Sequence, residues 1–171
     1  GVRDNEGNLS DEKLQEVANH SQVKMFEIKL SQGAKPGKGG ILPAIKVNKT
    51  ISTIRGIPEG EDSISPNRHP DINSPSELLD MIERIRSVSG KPVGFKTVVS
   101  STQWLEELCL LINERGEESA PDFITVDGGD GGTGAAPMSL IDNVGLTLNE
   151  ALPAIEDVLI KHGLRSRTRI V

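Results

Sequence analysis

The sequence reads Pro121-Asp-Phe-Ile-Thr-Val-Asp-Gly-Gly-Asp-Gly-Gly-Thr-Gly-Ala-Ala-Pro137 at the point that decides its fold. Phe123 to Val126 is an apolar, β-branched run, which is typical of a buried strand. The loop that follows Asp127 consists mostly of glycine, so its backbone N–H groups can approach a ligand closely and form an anion-binding concavity. The stretch therefore predicts one wall of a site for a phosphate-bearing cofactor.

Two other interpretations of this loop compete. A glycine cluster after a strand is often a plain turn, and that alternative stays open. The loop also matches G-x-G-x-x-G at Gly129, Gly131 and Gly134. A Rossmann fingerprint, however, opens directly into a helix. Because Pro137 interrupts and the next helical pattern starts near Leu148, the Rossmann interpretation is rejected.

The rest of the chain alternates predicted strands and helices. Phe95 and Phe123 lie 28 residues apart, the length of a strand, a crossover helix and a return strand. Strands joined in this way run parallel, and their near-continuous apolar character predicts cover on both faces. The predicted strands are 24–30, 92–99, 123–126 and 167–171, and the predicted helices are 10–20, 74–90, 100–116 and 147–163.

Capping residues define these helices. Ser10 caps the first, and Ser74 to Glu77 and Thr147 to Glu150 are capping boxes, whose chemistry is repeated at Ser100 to Gln103. Apolar stripes follow each cap, for example Leu152, Ile155 and Leu159 in the last helix.

Three strand–helix units followed by another strand predict an α/β fold of the (β/α)₈ TIM-barrel type. A complete barrel takes about 250 residues, so this chain of 171 residues is expected to hold three to four β/α units of one. We expect a polar N-terminal segment with a short helix over residues 1–22, and the partial barrel over residues 23–171.

Composition restricts the function. Nineteen Lys and Arg residues against 25 Asp and Glu residues give a net charge of −6, which makes nucleic acid an unexpected partner. No apolar run is long enough to span a membrane. Cys109 is the single cysteine, so no internal disulfide and no metal site are predicted, and a reducing cytoplasm is the expected location.

A second glycine-rich loop, residues 31–40, follows the first strand. It has three residues between Gly33 and the Gly37-Lys38 pair, where a P-loop needs four, so triphosphate hydrolysis fits poorly and Lys38 is interpreted as a solvated side chain. Residues 41–72 are predicted to be irregular, and a loop of this length is usually functional or disordered. His69, between prolines, is a secondary candidate for an acid or base.

Four motifs, taken in order, resemble the FMN-binding synthase domain of glutamate synthase, and especially the shorter glutamate synthase-related FMN proteins. The resemblance covers nearly the whole chain from about Val23. The motifs are Ile28 to Gly40, then Ser65-Pro66 with His69 and Asp71, then Gly94-Phe95-Lys96, and then Asp127 to Pro137 with Gly163-Leu164-Arg165.

This resemblance implies a (β/α)₈ barrel with FMN across the carboxyl ends of its strands. It also implies reduction of the imine of 2-oxoglutarate and ammonia to L-glutamate, with electrons arriving through an iron–sulfur cluster from ferredoxin or a reductase subunit. Lys35 and Arg55 match substrate-carboxylate ligands, and Lys35 and Lys96 are the catalytic candidates, with Lys96 beside the flavin ring. The matching cofactor wall comprises Gln32, Lys96, Asp127, Gly128, Gly129, Gly131, Gly132, Thr133 and Gly134.

Lys96 is also supported without the resemblance. It interrupts an apolar strand, where a buried unpaired ammonium would be costly, and at the strand's carboxyl end it can face an anion. A lysine that simply points to solvent is the alternative. Arg55 can offer a bidentate fork to a carboxylate, but without the resemblance it is an ordinary surface arginine.

Departures from the family pattern are equally informative. Ile41 stands where the full-length enzymes carry a glutamine that contacts the keto acid, which puts 2-oxoglutarate in question but not FMN. The cluster cysteines and the phosphate-binding glycines are expected beyond Val171. Two alternatives therefore remain, a truncated barrel module that serves binding or assembly, and a related FMN oxidoreductase with another substrate.

Overall fold

A computed structural model describes residues 1–4, 6–33, 35, 39–131, 136–141 and 143–171 of the chain. Strands and helices alternate as the sequence predicts. The strands are β1 (Phe26–Lys29), β2 (Ile41–Leu42), β3 (Ser63–Ile64), β4 (Val93–Val98), β5 (Phe123–Asp127) and β6 (Arg169–Ile170). The helices are α1 (Asp11–Ala18), α2 (Lys49–Arg55), α3 (Pro75–Ser89), α4 (Gln103–Arg115) and α5 (Leu148–Lys161).

The main sheet has four strands in the order β1-β4-β5-β6, all parallel. Ile28 pairs with Phe95, and Phe95 pairs with Ile124, so the predicted parallel arrangement of the strands that carry Phe95 and Phe123 is confirmed. The strands lie side by side in chain order, with a helix between successive members. This α/β arrangement fits a partial barrel, and closure into a TIM barrel stays a prediction.

The helix boundaries follow their caps. Ser74 Oγ accepts from the N–H of Glu77, and α3 is terminated by the next residue after it, Gly90, whose φ of 65° is left-handed. The carboxylate of Glu150 accepts from Thr147 at the start of α5. The prediction for Leu152 was wrong, because this side chain is 42% exposed. The residues of α5 that are buried in the core are Ala151, Ile155, Val158 and Leu159.

Two local predictions need correction. The helix predicted from Ser100 begins instead at Gln103, and its N-cap Thr102 makes no capping hydrogen bond through its side chain. The segment 41–72 is not wholly irregular. It contains the antiparallel β2–β3 ribbon and α2, which is capped by Asn48 and stopped by Gly56 in the left-handed region. The β-branched residues within α2 concealed it, since they are weak helix formers.

The two faces of the main sheet differ in chemistry. One face carries Ile28, Phe95 and Ile124, which are buried in the core with the apolar stripes of the helices. The other face carries polar residues that are half-buried or exposed, and across it Thr125 donates to Glu27 over 2.6 Å. Side chains alternate along each strand, so this second face also presents Lys29, Lys96 and Asp127.

The N-terminal segment packs on the sheet domain. The short helix predicted there is present as α1, and its Leu14 and Ala18 are buried against the domain's core. The boundary at residue 22 stays a prediction. Cys109 is also a core residue, and burial raises the pKa of its thiol to about 11. No helix in the described part of the chain is long and apolar enough to cross a membrane.

At the amino end of β5, Asp122 ties the sheet to two arginines. Its carboxylate accepts from the Val93 N–H at 2.8 Å and pairs with Arg86 and Arg167, each at 3.0 Å. Burial alone would raise the pKa of Asp122, but these hydrogen bonds and charges together hold it below the usual value.

Replacing Asp122 should therefore weaken the fold in a pH-dependent way. We expect Asp122→Asn to lower the free energy of unfolding at pH 7 by about 1.5 to 3 kcal/mol, the range for hydrogen bonds to charged groups. Because the native pKa is depressed, the carboxylate's contribution is present above the unfolded pKa of about 3.9 and is lost as the pH falls through the lower native value.

Urea unfolding of both proteins between pH 7 and pH 2.5 measures this. The exposed Asp157→Asn serves as the matched control. A difference in stability between wild type and Asp122→Asn that stays constant down to the lowest pH would contradict the role given to this carboxylate.

Candidate functional site

Lys96, Asp127 and Gly33 of the second glycine-rich loop meet near the carboxyl ends of β4 and β5. Lys96 Nζ lies 3.0 Å from Asp127 Oδ2, and the same oxygen accepts the N–H of Gly33 at 3.0 Å. Both side chains of the ion pair are 28% exposed. The lysine is therefore neither free in solvent nor buried without a partner. It has a carboxylate neighbour, and that carboxylate also anchors the loop that follows β1.

The start of that loop is fixed by Ser31. Its Oγ accepts the N–H of Val98 at 2.8 Å and lies 3.3 Å from the hydroxyl of Thr97. The N–H of Leu30 donates to the carbonyl of Lys96 at 3.0 Å, which continues the parallel ladder past β1. The chain from Leu30 to Gly33 is thus held against the ends of β4 and β5.

Gly128 and Gly129, which follow β5, are required for close approach, but what they approach is the protein's own atoms. A Cβ on Gly33 would lie within 2 Å of the Gly128 carbonyl oxygen, and one on Gly129 would lie 2.4 Å from the Gly145 carbonyl oxygen. The N–H of Gly129 donates to Leu146 at 2.7 Å. That donor is therefore not available to an anion, contrary to what the glycine-rich sequence suggested.

Asp130, in the same loop, caps the start of α5, because its Oδ1 accepts the N–H of Leu148 at 3.0 Å. Gly131 has a φ of 77°, which favours glycine. The predicted cofactor residues Gly132, Thr133 and Gly134, and Lys38 in the other loop, lie outside the described residues.

Beyond the end of β1 lies a cavity of about 370 Å³. Lys96 and Asp127 are not among the residues that line it, but Lys29, the register partner of Lys96, is. Residues 31, 32, 35, 39 and 40 and residues 65–70 form most of its wall. Gly39 packs so closely on the Ser65 carbonyl that a Cβ would clash with it. None of the described residues lining it is acidic. Its basic residues are Arg3, Lys29, Lys35 and Arg68.

His69 also lines this cavity. Its Nδ1 accepts the N–H of Asp71 at 3.3 Å. Burial first, and then the positive charge of Arg3, lower the pKa of His69, while Asp71 acts in the opposite direction. The ring is therefore favoured in its neutral form, with the proton on Nε2.

The structure separates the predicted substrate residues. Lys35 lines the cavity, and so does Gln32, whose Oε1 accepts from Lys29 Nζ at 2.8 Å. Arg55 is exposed at the last residue of α2 and is not among the residues lining the cavity. Its proposed contact with a substrate carboxylate therefore has no support from the geometry.

The comparison with known families matches residues 16–171 to the conserved region in glutamate synthase. This chain belongs to the glutamate synthase family. It is similar to the glutamate synthase large subunit-like protein YerD of Bacillus subtilis, with 42% identity over 170 residues, which is 99% of this chain and 32% of that protein.

Two further relatives of this glutamate synthase region are named as enzymes. The archaeal glutamate synthase [NADPH] of Methanocaldococcus jannaschii is 39% identical over 148 residues, covering 85% of this chain and 28% of that protein. The ferredoxin-dependent glutamate synthase of Cyanidium caldarium is 37% identical, covering 85% of this chain and 9% of that protein. The chain thus spans about a third or less of these relatives.

Sequence reasoning missed three of the basic residues in the cavity of this glutamate synthase region. Lys29 carried a usable signal, because it alternates with the buried Ile28 at the end of a predicted strand. Arg68 stands beside the candidate His69. Arg3 carried no local signal, since its place in the cavity depends on how the N-terminal segment packs.

The backbone contacts of the glycine loop predict unequal effects of two alanine substitutions. Gly129→Ala should cost about 3 kcal/mol of stability, because its Cβ would overlap the backbone of Gly145. The Cβ of Gly131→Ala would have no atom within 4 Å, so this substitution should cost only the backbone strain of a positive φ, about 1 to 2 kcal/mol of stability. Urea unfolding compares the two, and equal losses would contradict the packing described for Gly129.

Proposed function

We propose that this region forms part of a (β/α)₈ barrel in a glutamate-synthase-type oxidoreductase, where it supplies one side of the FMN and keto-acid site. Family membership supports the general function. The reaction inferred is the reduction of the imine formed from 2-oxoglutarate and ammonia to L-glutamate. The domain bounds inferred are residues 23–171, with residues 1–22 packed against them.

The observation that carries this proposal is the placement of Lys96 in the carboxyl-terminal half of a parallel strand, in register with Lys29, which lines the basic cavity. Ligands of α/β folds bind at this end of the strands. The carboxylates of a keto acid and the anionic reduced flavin are the charges that such a lining attracts.

The residues present suit a flavin ring better than its phosphate. Lys96 and the Gln32 amide can offer N–H donors to the carbonyl and nitrogen atoms of the ring. The described glycines supply less, since the N–H of Gly129 is already bonded within the protein. The phosphate is therefore assigned to another part of the barrel. When bound, FMN supplies the hydride.

The chain's own residues perform binding and charge stabilisation in this proposal. Lys35, inside the cavity, pairs with a substrate carboxylate. Lys96 stabilises negative charge at the ring, and Asp127 holds the Lys96 ammonium in place while it anchors Gly33. Lys29 adds a second positive charge on the same face of the sheet, because it pairs in register with Lys96.

The remaining parts of the reaction are assigned to other segments of the polypeptide. We infer an iron–sulfur cluster whose cysteines lie outside residues 1–171, and an electron donor that is ferredoxin or a reductase subunit. The names of the relatives include both an NADPH and a ferredoxin type. A cytoplasmic location agrees with this metabolic chemistry.

A related oxidoreductase with a different keto acid is the second candidate. It is favoured by Ile41, which is 54% exposed. Its side chain cannot form a hydrogen bond, whereas the family resemblance places a glutamine at this position. Steady-state assays with 2-oxoglutarate and ammonium against other keto acids distinguish the two substrates.

Flavin binding tests the proposed function. The complete polypeptide that carries this region should purify with yellow FMN. Lys96→Ala should weaken FMN binding at least about tenfold, since a charge-assisted hydrogen bond is lost. Fluorescence titration of the flavin-free protein with FMN measures the affinity.

Lys24→Ala is the matched control, because Lys24 is exposed and precedes β1 at the opposite end of the strand. Unchanged affinity in Lys96→Ala would remove Lys96 from the site. A folded, colourless protein that takes up no flavin would refute the FMN proposal and favour a barrel module that serves binding or assembly.

A further inference from the structure

Residues 1–4 and 6–9 form an ordered wall beside the cavity, held by contacts with two helices. Arg3 and Leu9 make an antiparallel bridge, and Lys13 Nζ donates to the Arg3 carbonyl at 2.9 Å. Arg84 of α3 donates to the Leu9 carbonyl at 3.1 Å. Val2 and Leu9 pack against the core. The segment is therefore held by both α1 and α3.

Arg3 projects from this wall to Asp71. Arg3 NH1 lies 2.9 Å from Asp71 Oδ2, and this oxygen is buried without a hydrogen bond of good geometry. Arg3 also donates to the Gly7 carbonyl. The region matched to the glutamate synthase family begins only at residue 16, so this cavity residue is supplied from outside the matched region.

Asp71 connects Arg3 to His69. The Asp71 N–H donates to His69 Nδ1, which leaves Nε2 as the ring nitrogen available to a ligand. His69 lines both the cavity of about 370 Å³ and a neighbouring one of about 200 Å³, and Arg3 lines both as well. Arg3 and His69 therefore lie in the walls of the same two cavities.

We propose that Arg3 is a positioning residue of the substrate cavity: it holds Asp71 and thereby fixes His69 as a neutral hydrogen-bond donor, through Nε2–H, to an oxygen of an anionic ligand. The ligand class rests on the proposed function. The Arg3–Asp71–His69 arrangement does not, because it depends only on contacts within this chain.

The electrostatic surroundings support this role. Among the described residues, the charged groups that line the cavities with His69 are Arg3, Lys29, Lys35, Arg68, Asp71 and Glu27. A positive charge near an imidazole disfavours its protonation, and a negative charge favours it. Burial, with Arg3 as the second cause, keeps the pKa of His69 below its usual value even though Asp71 opposes them.

A neutral donor has a chemical use in a cavity already rich in cations. Lys35 and the other basic side chains can balance the ligand's charge, and a neutral imidazole adds directional hydrogen bonding without further positive charge. It can polarise a carbonyl oxygen near neutral pH without changing its own charge state.

The test is the titration of His69 by proton NMR in the 171-residue chain, assigned with His69→Gln. Arg3→Gln should raise the pKa of His69, whereas Arg3→Lys should leave it near the wild-type value, because the positive charge is retained. Asp71→Asn should lower it, because a negative charge is removed and the backbone N–H is kept. The resonances of His20 and His162 are internal references.

Opposite shifts in Arg3→Gln and Asp71→Asn support the proposal. Three results would overturn it: an unchanged pKa of His69 in Arg3→Gln, equal pKa shifts in Arg3→Gln and Arg3→Lys, or pKa shifts of the same sign in Arg3→Gln and Asp71→Asn. A purely structural role of Arg3 would not depend on the sign of the charge. If Arg3→Gln does not fold, the Arg3→Lys and Asp71→Asn titrations decide alone.

Ligand binding provides the second measurement. Calorimetry of the complete polypeptide with 2-oxoglutarate at pH 7.5 should show affinity about tenfold weaker in His69→Ala, as expected for the loss of one hydrogen bond. Equal affinity in the wild type and His69→Ala would refute the donor role. If the wild type binds no 2-oxoglutarate while the titration shifts appear as expected, the proposed substrate is wrong and the Arg3 arrangement stands.

Discussion

One carboxylate oxygen, Asp127 Oδ2, links the parts of this site. It accepts the N–H of Gly33 and pairs with Lys96, so it joins the end of β5, the end of β4 and the loop that follows β1. The ion pair is mostly shielded from solvent, where charge pairs are screened less than at an open surface. The positions of Gln32 and Lys35 depend on this anchor, because both residues lie on the tethered loop. The glycine at position 33 is required by the same contact, since any side chain there would meet the carbonyl of Gly128.

The asymmetry of the sheet explains why the site lies where it does. One face is apolar and pairs with the helices, while alternate residues place Lys29, Lys96 and Asp127 on the other face. Parallel strands bring their carboxyl ends to one edge, so the side chains near those ends meet there. The basic cavity continues this edge and draws its wall from residues 65–70 and from the N-terminal segment.

The elements that could be predicted from sequence are those specified by local chemistry. Apolar runs predicted β4 and β5, and Ser74 with Gly90 predicted α3 nearly to the residue. The short α2 was missed because its β-branched residues suggested no helix, although Asn48 and Gly56 were usable signals. The site residues follow the same rule, since those with a local signal could be predicted and those placed by long-range contacts could not. Lys96 was identified by the family resemblance and supported by its position as a charged residue in an apolar strand, but its pairing with Asp127 depends on strand register. Arg3 could not be found, because its contact with Asp71 crosses 68 positions of the chain.

We infer that the carboxyl ends of β1, β4 and β5 form one side of a flavin site, and a crystal structure of the complete polypeptide with bound FMN is the sharpest test of this inference. We expect the flavin ring to lie against these strand ends, with Lys96 Nζ within hydrogen-bond distance of a ring atom, about 3 Å, and Asp127 still bonded to Gly33. A flavin bound elsewhere, with Lys96 paired only to Asp127 and remote from the ring, would contradict it.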